Sequence, residues 1–193
     1  MRASPTFQTT SGPTAEPITL DELKLRLRVT SCDFDSELLD MLKAARLQVE
    51  ADTYRRLITQ TVVMYQEDFT SLLGPVEIRL APVQSITHVK YYDRDDLLQT
   101  FAASDYYANL TSTPPEIRLK EAKQWPNTSL YRPNKVEVTM VAGYGAATAV
   151  PQAAKLAIVE YCKSQWGGCN HNTTAYHRLV SSLQWTSYHK VWA

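Results

Sequence analysis

The sequence has no surplus of either charge. Twenty Lys and Arg stand against twenty Asp and Glu. A protein that holds nucleic acid by neutralising phosphates carries a basic excess, so this balance argues against DNA or RNA binding beyond a local patch. Cysteine is also scarce. Cys32, Cys162 and Cys169 are odd in number and far apart, which argues against a disulfide framework and fits reduced thiols in a cytosolic product. No apolar run reaches membrane-spanning length. The segment 1–17 carries Arg2 and then Ser, Thr, Pro and Gly, without the apolar core of a signal peptide, and reads as a flexible N-terminal arm. Without secretion the sequons at Asn109, Asn127 and Asn172 carry no meaning. No internal repeat is visible, and no low-complexity stretch beyond the arm.

What is present is an ordinary globular composition, 44% apolar and 21% charged, in 193 residues. That length buries one domain's core, or one domain with an insertion. Order is expected from Pro17. Thr19 with Glu22 three residues on forms a capping box. Leu20, Leu23 and Leu27 then follow at helical spacing, to about Val29. After a polar break, Asp33 or Asp35 is placed to cap a second helix, which runs to about Arg56 with Leu38, Leu42, Ala45 and Val49 along one face. The short connector implies a hairpin. The combined apolar faces are expected to exceed what one small helical layer needs.

From Ile58 the pattern changes to short β-branched and aromatic runs between turn signals. Strands are expected over 61–69, 76–80, 86–92, 98–101, 106–110, 116–119 and 135–142. In the last, Val136, Val138 and Met140 alternate with Glu137 and Thr139. Gly143-Tyr144-Gly145 ends it, Pro151 suits a helix first turn, and Gly167-Gly168 stops that helix. The fold class is therefore α+β: a helical layer of two N-terminal helices and one C-terminal helix, with an inserted small antiparallel β domain. The expected divisions are an arm at 1–17, a helical hairpin at 18–57, the β domain at 58–145, the closing helix at 146–168 and a tail at 169–193.

Chemistry is hard to find along this chain. The Gly143-Tyr144-Gly145 loop lies where phosphate loops lie, but Thr148 stands where a dinucleotide fingerprint needs glycine, so a tight turn is the better reading. Cys169 and His171 resemble half a metal site, yet His177 and His189 complete no zinc spacing. His88 falls on the less apolar face of its strand. Asp93, Asp95 and Asp96 lack EF-hand spacing and read as a solvated hairpin tip. No catalytic, cofactor or metal residue is assigned, no cofactor is called, and the chain is expected not to be an enzyme.

The tail resists a bland reading. After Glu160 there is no acidic residue, and Trp185, Tyr188 and Trp192 crowd together with Arg178 and Lys190. These five are the expected partner-binding residues, the aromatics as anchors and the cations as flankers, on an arm that folds on docking. The alternative is that the same aromatics pack on the protein's own core. The second helix carries Asp35, Glu37, Asp40, Glu50 and Asp52 against Lys43 and Arg46, and this acidic side is the expected lining of any channel through which DNA slides.

The order of these features resembles the head-tail connector (adaptor or head-completion) family of tailed bacteriophages, in its branch with a β insertion. The resemblance rests on the run from Ile18 through Leu27, on Asp33-Phe34-Asp35-Ser36-Glu37-Leu38-Leu39 with Ala44-Ala45-Arg46, and on Tyr54-Arg55-Arg56-Leu57-Ile58. It rests further on Ile78-Arg79-Leu80-Ala81-Pro82 leading to Ile86, and above all on Val141-Ala142-Gly143-Tyr144-Gly145 with Val150-Pro151. It spans about 17–168. The resemblance implies a virion protein of the neck, made in the host bacterial cytoplasm, with no membrane role. It implies a homo-oligomeric, dodecameric ring beneath the portal protein, joined to a stopper or tail-completion protein, with DNA passing through without sequence-specific binding. Rival readings are a stopper or tail-terminator ring, for which a mainly β chain is expected, and a hydrolase whose site is assembled in space.

Overall fold

A computed structural model of the chain describes residues 4–69, 74–166 and 173–184. It divides into a β unit, Met1–Gly12 with Thr59–Gly143, and a helical unit, Pro13–Ile58 with Tyr144–Ala193. The fold is α+β.

Among the described residues the β unit holds eight strands: β1 (Thr6–Ser11), β2 (Gln60–Gln66), β3 (Val76–Glu77), β4 (Val83–Tyr92), β5 (Leu98–Phe101), β6 (Tyr106–Asn109), β7 (Glu116–Leu119) and β8 (Val136–Ala142). They form a five-stranded sheet, β1-β2-β8-β4-β5, and a three-stranded sheet, β3-β7-β6. All pairings are antiparallel. Alternation in β8 fixes the register: Met140 and Val138 lie opposite Val62 and Met64 of β2, all four buried. Small-sheet residues Val76 and Ile117 join the same core. Aromatics fill it, with Phe69 stacked on Trp125 at 4.5 Å and Phe101 at 5.2 Å from Trp125. The buried indole N–H donates to the Gly74 carbonyl at 2.9 Å, which meets its polar requirement.

The helical unit holds α1 (Leu20–Leu27), α2 (Asp35–Thr53), α3 (Gln152–Trp166) and α4 (Thr173–Leu183). Its core is aliphatic: Leu23, Leu38, Leu42, Val49, Leu57 and Ile158 are fully or nearly fully buried. Thr19 and Glu22 make the reciprocal capping box, Glu22 N–H to Thr19 Oγ1 at 3.1 Å and Thr19 N–H to Glu22 Oε2 at 2.9 Å. Both α1 and α2 end on a non-glycine residue in the left-handed region, Arg28 and Tyr54. That is why α2 stops at Thr53, short of the expected Arg56: the chain already turns at Tyr54, whose N–H bonds to Ala51.

Three expectations need correction. The arm over 1–17 contains a strand. β1 pairs with β2, Phe7 opposite Met64, and it escapes a reading by alternation because an exposed edge strand of Thr and Gln is held by backbone hydrogen bonds. The tail over 169–193 contains a helix. In α4, Val180 and Leu183 are buried in the helical core with Tyr176 and Leu179 against it, a helical apolar spacing. Neither Asp33 nor Asp35 caps α2. Phe34 is the N-cap residue, without a side-chain cap bond, and Asp35 pairs instead with Lys24 at 2.7 Å.

Candidate assembly surfaces

The five expected channel carboxylates do not share an exposed face. Glu50 is only 3% exposed and is structural. Its Oε1 accepts the Leu57 N–H at 2.9 Å, and its Oε2 lies 3.3 Å from buried Arg46, which also meets Glu16 at 2.8 Å. Burial forbids an unpaired charge here, so the pattern that looked like an acidic helix side is in part a core ion network. Asp52 accepts from the Tyr176 hydroxyl at 2.6 Å and from Gln48 at 2.9 Å, tying α2 to α4. Burial, with Asp52 next in order, raises the Tyr176 hydroxyl pKa. Asp35 is engaged by Lys24, which leaves Glu37 and Asp40 as the exposed pair.

Of the expected partner-binding residues, Arg178 lies exposed on α4. Trp185, Tyr188, Lys190 and Trp192 lie outside the described residues, as do Cys169, His171 and His189. Arg55 fixes the carbonyl end of α4: its Nε donates to the Leu183 carbonyl at 2.7 Å and its Nη1 to the Tyr144 hydroxyl at 2.6 Å. This is the physical role of the Gly143-Tyr144-Gly145 turn. Both glycines have positive φ, 127° and 121°, which side chains rarely adopt, and Tyr144 between them is hydrogen-bonded within the helical unit, its N–H to the Leu57 carbonyl.

Among the described residues no three His, Cys, Asp or Glu come together in a way that could hold a metal. Burial pushes the Cys162 thiol up to about 12, so it stays protonated at neutral pH. Desolvation lowers the His88 pKa, with Lys90 adding to it. Asp93 serves its turn, accepting from the Asp95 and Leu97 N–H groups, both at 3.0 Å.

The sequence pattern assigned no surface role to the exposed apolar residues. Leu25, Leu39 and Leu47 lie on the helices, and Tyr131, 95% exposed, lies with Leu130 in a loop of the β unit. A signal for the helical three existed: each falls off the buried stripe of its own helix.

No protein-family model and no curated protein matches this sequence. Solved structures do. A chain in the neck of an empty gene transfer agent particle, computed with C6 symmetry, matches with TM-score 0.77 and 18% identity over 93% of this chain and 95% of that one. A chain in the virion of a native gene transfer agent particle gives 0.74 and 17% over 92% and 94%. One in the neck of the native particle, computed with C12 symmetry, gives 0.68 and 17% over 93% and 94%. The shared property is the fold. It covers both units, β and helical, and the matched chains are parts of gene transfer agent particles.

Proposed function

We propose that this protein is a neck subunit of a tailed-phage-like virion. It forms a ring that joins portal to stopper or tail and leaves a channel for DNA. The observation that carries this reading is the fold match over more than nine-tenths of the chain to a chain in particle necks. Twelve copies satisfy both C12 and C6 symmetry, which supports a dodecamer. The protein works by assembly rather than catalysis, is made in the bacterial cytoplasm and ends in the virion. Balanced charge suits a channel wall, since a dense Arg and Lys lining would hold phosphates against sliding.

The portal or neighbour contact is assigned to the segment after α4, with Trp185, Tyr188 and Trp192 as anchors and Lys190 beside them. Since α4 contributes to the core, the informative deletion removes 185–193 and keeps 173–184. That variant should keep its melting temperature and fail to join portal-containing heads. Negative-stain images of the purified protein, and of particles containing it, test the ring itself. Isolated single copies in the particle, without subunit contacts, would overturn the reading.

A further inference from the structure

Among the described residues, a ridge and a groove of the helical unit carry uncovered apolar surface. The first is a ridge on α2. The buried stripe is Leu38, Leu42, Ala45 and Val49, while Leu39 and Leu47 point away from it, Leu47 57% exposed. Glu37, Asp40 and Lys43 stand exposed around them, with Asp40 and Lys43 paired at 3.2 Å. The second is a groove of about 260 Å³ between α1 and α3. Ile18, Leu156 and Val159 line it, Leu25 flanks it at 78% exposure, and Arg26 and Lys155 supply positive charge. Glu22, also at the groove, is committed to the capping box of α1.

We infer that the α2 ridge of one copy docks into the α1–α3 groove of the next, so that a single heterologous contact, repeated, builds the ring. This rests on the ring reading above. Three observations choose a second copy of this chain as the occupant. Ridge and groove share no residue, so each copy offers one to each neighbour, as a head-to-tail ring requires. The signs match: Glu37 and Asp40 on the ridge face Arg26 and Lys155 at the groove, and neither Glu37 nor the two cations enter an ion pair among the described residues. Each surface also carries a leucine more than half exposed, whose burial a neighbour would supply. The contact removes Glu37 and Asp40 from the channel wall.

A cross-linking experiment tests it. In a Cys32→Ser, Cys169→Ser background, with buried Cys162 retained, Leu25→Cys and Leu47→Cys are made singly and together, and melting curves establish that each folds. A short bismaleimide is added at a concentration where the parent background forms rings. The double variant should give a ladder of covalent oligomers ending at one closed species, each single variant should stay monomeric, and the two singles mixed should stop at dimers. Self-cross-linking of either single variant would mean a like-to-like contact and overturn the proposal. So would a monomeric double variant whose rings are visible by negative stain, and in that case the ring reading survives. Absence of rings from every variant and from particles would end both.

Discussion

The two units reach stability by different means. The β unit packs aromatics: Trp125, Phe69, Phe101 and Tyr106 form a contiguous cluster whose indole N–H is satisfied by a backbone carbonyl. The helical unit packs aliphatics and then encloses charge, with Glu16, Arg46 and Glu50 in one network. An aromatic core fails through lost volume. A core containing ions fails when one partner is removed and another charge is left buried. Substitutions therefore distinguish the units by mechanism as well as by location.

Trp125→Ala should have the largest effect, about 4 kcal/mol of destabilisation, because the indole is buried and stacked. Denaturant unfolding gives the magnitude. Hydrogen exchange should show protection falling in β2 and β8 first. Equal loss in α2 and α3 would break the comparison.

Glu50→Ala comes next, at about 3 kcal/mol, since it leaves Arg46 short of a partner and strands the buried Leu57 N–H. The exchange pattern should be the reverse, with α2 amides losing protection first. A combined Arg46→Leu, Glu50→Leu variant should recover part of the loss, which tests whether the isolated charge is the cause.

Thr19→Ala should cost about 1 kcal/mol by removing one half of the capping box. Glu22→Ala combined with it should add less than its own single effect, because the two bonds are reciprocal.

Within the β unit acid should act weakly. Asp93 is held below the usual carboxylate range by the Leu97 N–H and then Gln99, Asp105 by Lys123 and then Ser104, and Glu116 by Arg118 and then Asn109. Depressed pKa values mean a contribution present above the unfolded-state values and lost as pH falls through the folded ones. Exchange protection in β6 and β7 should therefore decline below about pH 4. Decline on raising pH from neutrality would contradict the assignment.

Several elements were legible along the chain. Strong periodicity placed α2 and β8 within a few residues, and Thr19 with Glu22 marked the start of α1. β1 was not legible, because an edge strand needs no apolar alternation. α4 was not legible although Tyr176, Val180 and Leu183 carry the helical period, because it follows a Gly-Gly helix stop and has no acidic residue in its first turn to mark a start. On the candidate surfaces, sequence gave residue types without their surroundings. Glu37 and Glu50 occupy one helix and look alike in a string, yet one is exposed and the other is enclosed with Arg46.

By itself the sequence determined what depends on neighbours a few residues apart: helix phase, capping, strand alternation, the positive-φ turn at Gly143 and Gly145, and the absence of a charge excess. Tertiary structure decided what depends on distant partners. It drew Glu16 to Arg46, Asp52 to Tyr176 and Arg55 to Leu183, and left Leu25 and Leu47 uncovered. The reason is physical. Local hydrogen-bond geometry is written in consecutive residues, whereas burial is a property of everything that packs around a side chain.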